Sequence, residues 1–194
     1  MVITLGDYID RGPTSKQVIS RLLALRAQCN YIRIRGNHEQ MMMEARKGKS
    51  DFEYWLDNGG DTTMKSYGLP THWESLSQIP KSHWYFLDSQ CVDIAETEDY
   101  IFVHGGLDPQ VPIEDQSKEN THWNRFDKAR PHYSGKIYFC GHTPQPNGKP
   151  THKGFAVCLD TGVFLPDGWL SCLRLDDGMV FQTNTKGIVR KFLI

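Results

Sequence analysis

The chain has 194 residues, a formal net charge of −1 and a hydrophobic fraction of 39%. A balance so near neutrality excludes the basic surface that nucleic acid or an anionic membrane selects, and no apolar run approaches the roughly 18 residues that a membrane span needs. The length suits one domain, residues 1–194, with a sizeable core.

In chain order, Val2–Leu5 is expected to be a short buried strand. Ser15–Ala27 carries Val18, Ile19, Leu22, Leu23 and Leu25 at helical spacing, with Pro13 and Ser15 as start signals. Tyr31–Arg35 is a second strand, so the opening reads as a βαβ unit with parallel strands. Residues 39–67 are expected to be helical with breaks near Gly48 and Gly59-Gly60, and residues 70–90 partly helical. Tyr100–His104 and Ile137–Cys140 are further strands, separated in part by a long loop, 105–121. A turn-rich loop, "TPQPNGKPTHKG", precedes four short strands at Phe155–Leu159, Leu170–Leu175, Val180–Thr183 and Val189–Leu193. The pattern is α/β first and β-rich last.

The ionisable residues gather at strand ends. "LGDYIDRG" follows the first strand and "RIRGNHEQM" contains the second, while His104 and His142 follow the third and fourth. Each cluster adjoins a glycine (Gly6, Gly36, Gly105, Gly141), which permits close approach to a ligand. In open α/β sheets, sites gather at the carboxyl ends of strands. One strand ending in His is unremarkable, but four strands of one sheet doing so is hard to attribute to packing. Asp7, Asn37, His104 and His142 would supply a carboxylate, an amide oxygen and two imidazoles, a mixed set that suits Mn²⁺, Fe or Zn²⁺. Arg11, Arg35 and Arg125 offer planar forks for phosphate oxygens.

"GDYIDRG", "RGNHE", "VHGGL" and "GHTP", with "WNR" at Trp123–Arg125 and "DTG" at Asp160–Gly162, resemble in order and spacing the signature blocks of the phosphoprotein phosphatase branch of the calcineurin-like metallophosphoesterases, in its bacterial form. The resemblance runs from residue 2 to about 175. It implies a mixed β-sandwich flanked by helices and a phosphomonoester hydrolase using two divalent metals (Mn, Fe or Zn). In that scheme hydroxide held on the metals attacks phosphorus in line. Carried over by position, Asp7 resembles the carboxylate that bridges the metals. Asn37, His104 and His142 resemble the remaining ligands of the second metal. Arg11, Arg35 and Arg125 resemble the phosphate clamp, and His38 the group that protonates the leaving oxygen, oriented by Asp10. Substrates would be phosphorylated proteins, with phosphoserine and phosphothreonine favoured, or small phosphoesters. A diadenosine tetraphosphate hydrolase is the alternative on the same scaffold; Glu39, making Gly-Asn-His-Glu where those enzymes resemble Gly-Asn-His-Asp, favours the protein phosphatases.

The family's opening Gly-Asp-x-His block is not present ahead of residue 2. The first strand of the fold and part of the first metal site are therefore expected to be missing, leaving only the second site complete. Either the sequence lacks its true N-terminal segment, or the protein is a degenerate, non-catalytic phosphate binder. In both cases the 194 residues alone are expected to hydrolyse phosphate esters poorly.

The remaining candidates read as structural. Asp160 is expected to hold a turn rather than to touch metal. His72, His83, His122, His132 and His152 lie outside the blocks. Trp55, Trp73, Trp84 and Trp169 are expected in the core, and Met41-Met42-Met43 in packing. Cys29, Cys91, Cys140, Cys158 and Cys172 are odd in number with no Cys-x-x-Cys pair. They are expected to be reduced, mostly buried thiols of a cytoplasmic protein.

Overall fold

Strand β1 (Val2–Thr4) pairs in parallel with β2 (Tyr31–Arg33), Val2 standing opposite Tyr31. The helix between them, α1 (Ser15–Leu25), is the crossover that parallel neighbours require, and its Ile19 is fully buried. These elements come from a computed structural model describing residues 1–194, which divide into two units, Met1–Ala95 and Glu96–Ile194.

The first unit continues with α2 (Asn37–Glu44), α3 (Lys49–Trp55) and α4 (Asp61–Tyr67). The expected break at Gly59-Gly60 has a physical cause at each glycine. Gly59 takes φ 105°, a region that side chains disfavour, and a Cβ on Gly60 would overlap the Trp55 indole. A 3₁₀ segment, Trp73–Gln78, and the short helix α5 (Lys81–Tyr85) complete the helical part. Ile19, Ile34, Met41, Met42, Phe52, Trp55, Met64, Phe86 and Leu87 form the core of this unit, so the methionine run serves packing.

In the second unit β4 (Tyr100–Val103), β5 (Ile137–Cys140) and β7 (Ala156–Cys158) are parallel, with Cys140 directly opposite Cys158. β6 (Thr151–His152) runs antiparallel to β7 at one edge. The other edge is β3 (Ile94–Glu96), the strand in which the boundary between the units falls. The strand interiors are continuous apolar runs, as parallel sheets covered on both faces require, and Phe102 stacks on Phe139 at 5.3 Å. Three antiparallel strands follow: β8 (Leu170–Arg174), β9 (Met179–Thr183) and β10 (Val189–Leu193).

The structure departs from the sequence reading in several places, among them β1, which is exposed to half-exposed rather than buried, and β6, which forms within the expected turn-rich loop. The four strands that end in polar residues do not share one sheet: β1 and β2 form a two-stranded sheet, and β4 and β5 belong to the five-stranded one. The free edge of β2 is taken just beyond Arg33, where Val92 N–H donates to Arg33 O at 2.9 Å and Arg35 N–H to Val92 O at 2.8 Å. The loop expected at 105–121 contains a 3₁₀ turn, Ile113–Asp115, and the start of helix α6 (Lys118–Trp123), whose first turn is capped by the Ser117 hydroxyl. Strand β3 is absent from the sequence reading because three residues carry too little alternation to register.

Candidate active site

In the first unit, the chain leaves β1 through Gly6 (φ 91°) into Asp7 (φ 57°), and then through Asp10 (φ 71°) and Arg11 (φ 60°). Left-handed backbone at non-glycine residues is uncommon and costs of order 1–3 kcal/mol each. Only four non-glycine residues of the chain adopt it, and all four, including His142 (φ 62°), are among the expected site residues. Gly12 N–H donates to Asp10 O, closing a tight turn around Arg11.

This loop is held by Glu39 in α2. Its buried carboxylate accepts the backbone N–H groups of Asp7 (2.8 Å), Tyr8 (2.7 Å) and Gly36 (2.8 Å). The bond to Gly36 is one half of a capping box; glycine has no side chain for the other half. A Cβ at Gly36 would collide with Asp7 and Glu39, so glycine is required where the two loops meet. Asn37 and His38, the first residues of α2, are almost fully buried, and His38 N–H points at Asp7 Oδ1 at 3.4 Å.

Asp10 is the centre of a buried polar cluster. Its Oδ2 lies 2.8 Å from His38 Nδ1 and accepts the Trp55 indole N–H at 2.9 Å, while Oδ1 accepts the Thr63 hydroxyl at 2.7 Å. Burial pushes the Asp10 carboxyl upward, against the donors His38, Thr63 and Trp55. For His38 burial acts downward. The hydrogen bond to Asp10, with the charges of Asp7 and Asp10, outweighs it and raises the imidazole above its usual value.

Arg11 is exposed, with its backbone N–H on Gly59 O. Arg35 is placed differently from the arginine expected on phosphate. It is buried, and its guanidinium donates to Leu87 O, Asp88 O, Cys91 O and Asp93 Oδ1, the last at 3.0 Å. Those contacts anchor segment 87–93 to the end of β2.

In the second unit, β4 and β5 present His104 and His142, whose rings lie 5.2 Å apart at 68°. Gly141 N–H donates to His104 O at 2.8 Å, tying the two strand ends together. Gly105 N–H donates to Thr121 O at 2.6 Å, and a Cβ there would meet backbone of residues 122–124 at 2.9–3.0 Å; α6 therefore closes on a glycine. Arg125, just beyond α6, is exposed beside Asp127. Asp160 accepts Gly162 N–H at 2.9 Å and is a turn residue, as its local sequence suggests. The chemistry of the donors fits a metal: Asp7 and Asn37 offer oxygen, and His104 and His142 are near enough to share one ion.

No local pattern points to Thr63, and the sequence reading places Trp55 in the core alone; it is core, and its indole N–H also reaches Asp10. Glu39 has a local signal in its position three residues into the start of a helix.

The family model for calcineurin-like phosphoesterases matches residues 1–168. The chain is 44% identical over 151 residues to serine/threonine-protein phosphatase 1 of Salmonella typhimurium, covering 74% of this chain and 65% of that protein. It is 44% identical over 61 residues to serine/threonine-protein phosphatase 2 of Escherichia coli, covering 31% of this chain and 26% of the relative. The chain thus spans less than two thirds of the length of the Salmonella relative, and the match to the second is shorter still. Among solved structures, a cold-active protein-tyrosine phosphatase of a psychrophilic Shewanella superposes with a TM-score of 0.62 at 16% identity, over 97% of this chain and 68% of that one. A candidate diadenosine tetraphosphatase superposes with a TM-score of 0.56 at 18% identity, over 98% and 78%. At these identities the two structures speak for the fold alone.

Proposed function

The chain belongs to the calcineurin-like phosphoesterase family, and on that premise we propose that it serves as a metal-dependent phosphomonoesterase of serine/threonine phosphatase type. The observation that carries this reading is the confinement of left-handed non-glycine backbone to Asp7, Asp10, Arg11 and His142. Strain of that kind persists where the surroundings over-determine it, and it clusters at functional sites.

Asp7, Asn37, His104 and His142 are the proposed metal ligands. When bound, the metals supply Lewis acidity and lower the pKa of a water. The chain's own groups do the rest. Exposed Arg11 and Arg125 are proposed to bind the phosphate oxygens and offset their charge. Arg35 supports the end of β2. Asp10 engages His38 at Nδ1, which orients the ring and favours its protonated form. The other ring nitrogen can then give a proton to the departing oxygen. Trp55 and Thr63 hold Asp10 in turn. The resemblance to the Salmonella phosphatase and the Glu39 form of the motif support phosphoserine or phosphothreonine substrates over diadenosine tetraphosphate.

Titration calorimetry with Mn²⁺ tests the ligand set. Binding should weaken at least about tenfold in each of Asp7→Asn, Asn37→Ala, His104→Ala and His142→Ala, and unchanged binding in all four would refute it. Rates on a phosphoserine peptide and on diadenosine tetraphosphate rank the substrates; faster cleavage of the dinucleotide would reverse the order.

A further inference from the structure

His142 owes its position to a turn that the chain would not adopt unaided. Thr143 N–H donates to Gly141 O at 2.6 Å, closing a three-residue turn around His142 at φ 62°. With a positive φ at its central residue, this γ-turn is the rare, strained form. Neither glycine nor asparagine occupies the strained position, so something outside the turn must hold it.

One side chain reaches both of the turn's outer carbonyls. Cys158, the last residue of β7, places its sulfur 3.4 Å from Gly141 O and 3.3 Å from Thr143 O. It is fully buried, as is its register partner Cys140 across the parallel ladder. The Cys158 S–H faces the carbonyls on either side of His142. Gly141 O also accepts Thr143 N–H, and Thr143 O the Gln145 side-chain amide at 2.7 Å; a thiol is a weaker donor than either, yet Cys158 bridges the two oxygens.

We propose that Cys158 is a positioning residue: its thiol clamps the γ-turn at Gly141–Thr143 and so holds His142 in its left-handed conformation. The link to metal binding rests on the reading of His142 as a ligand; the link to backbone conformation does not. Outer groups that orient a metal ligand typically change affinity by about 10–100-fold when removed.

The test compares the whole chain with Cys158→Ala, Cys158→Ser and His142→Ala. In the metal-free protein, NMR reports the His142 backbone through its amide–α-proton coupling and Cα shift. Calorimetry with Mn²⁺ reports affinity, and thermal melting reports the fold. The expected result is that Cys158→Ala moves the His142 signals away from left-handed values and weakens Mn²⁺ binding about tenfold or more. Cys158→Ser, which keeps a donor, should restore much of both. Melting alone cannot produce that pattern, because alanine and serine both leave a smaller side chain. If the His142 signals are unchanged in Cys158→Ala, the clamp is overturned. If they move as expected while neither Cys158→Ala nor His142→Ala alters Mn²⁺ affinity, the clamp stands and the ligand reading of His142 fails.

Discussion

The carboxylate of Glu39 accepts the backbone N–H of Asp7 at 2.8 Å, across 32 residues of sequence, and the N–H of Tyr8 beside it at 2.7 Å. A helix side chain thus fixes the loop that carries three of the proposed site residues, Asp7, Asp10 and Arg11. Glu39→Gln retains one acceptor oxygen and turns a donor amide toward groups that are themselves donors. Since hydrogen bonds to charged groups contribute about 1.5–3 kcal/mol, a loss of roughly that size is expected in urea unfolding. A change within about 0.5 kcal/mol, the range of ordinary surface substitutions, would show that the triple contact does not stabilise the loop.

Two glycines of the second unit separate crowding from backbone strain. A Cβ on Gly105 would meet only backbone atoms of residues 122–124, at 2.9–3.0 Å, which no rotamer change relieves. Gly135 takes φ 75° with nothing within 4 Å. Gly105→Ala should therefore push α6 off β4 and cost about 1–3 kcal/mol through overpacking, with loss of proposed function at His104. Gly135→Ala should cost about 1–2 kcal/mol through its backbone alone and leave metal binding intact. Equal metal affinity in the two variants would contradict this separation.

His83 gives the first unit an acid-side sensitivity. It is buried between the Tyr67 hydroxyl, 2.7 Å from Nδ1, and the Ser20 hydroxyl, 3.3 Å from Nε2. Burial, with the positive charge of Lys16, moves its pKa below the usual value of 6.5. The unfolded chain then takes up a proton near pH 6.5 that the folded chain refuses, so the contribution of His83 is full above that pH and is lost as pH falls through the folded-state value. His83→Gln should be less stable than the parent at about pH 7.5, and the gap should narrow by about pH 5.5. A gap that widens on acidification would reverse the assigned sign.

The local readings that the structure bears out rest on short-range physics. Helix breaks are legible at Gly48 and Gly59-Gly60 because glycine acts on its own backbone, and Ser15–Leu25 because helical periodicity is repeated over several turns. The parallel pairing of β1 and β2 follows from the length of the helical connection between them. The reading of one sheet fails, because strand ends look alike in sequence whichever sheet receives them.

By itself the sequence determined the family, the sites of the Asp-, Asn-, His- and Arg-bearing loops, and the α/β order of the elements, all of which reside in contiguous residues. Only the tertiary structure decided which groups support them. Thr63 and Trp55 reach Asp10 across 53 and 45 residues, Glu39 reaches Asp7 across 32, and Cys158 reaches Gly141 across 17. Arg35, which its motif assigns to phosphate, is engaged by carbonyls of residues 87–91. The physical reason is the same each time: a buried donor or acceptor must find a partner, and the partner is whichever group the fold brings within about 3 Å, at a separation no local pattern records.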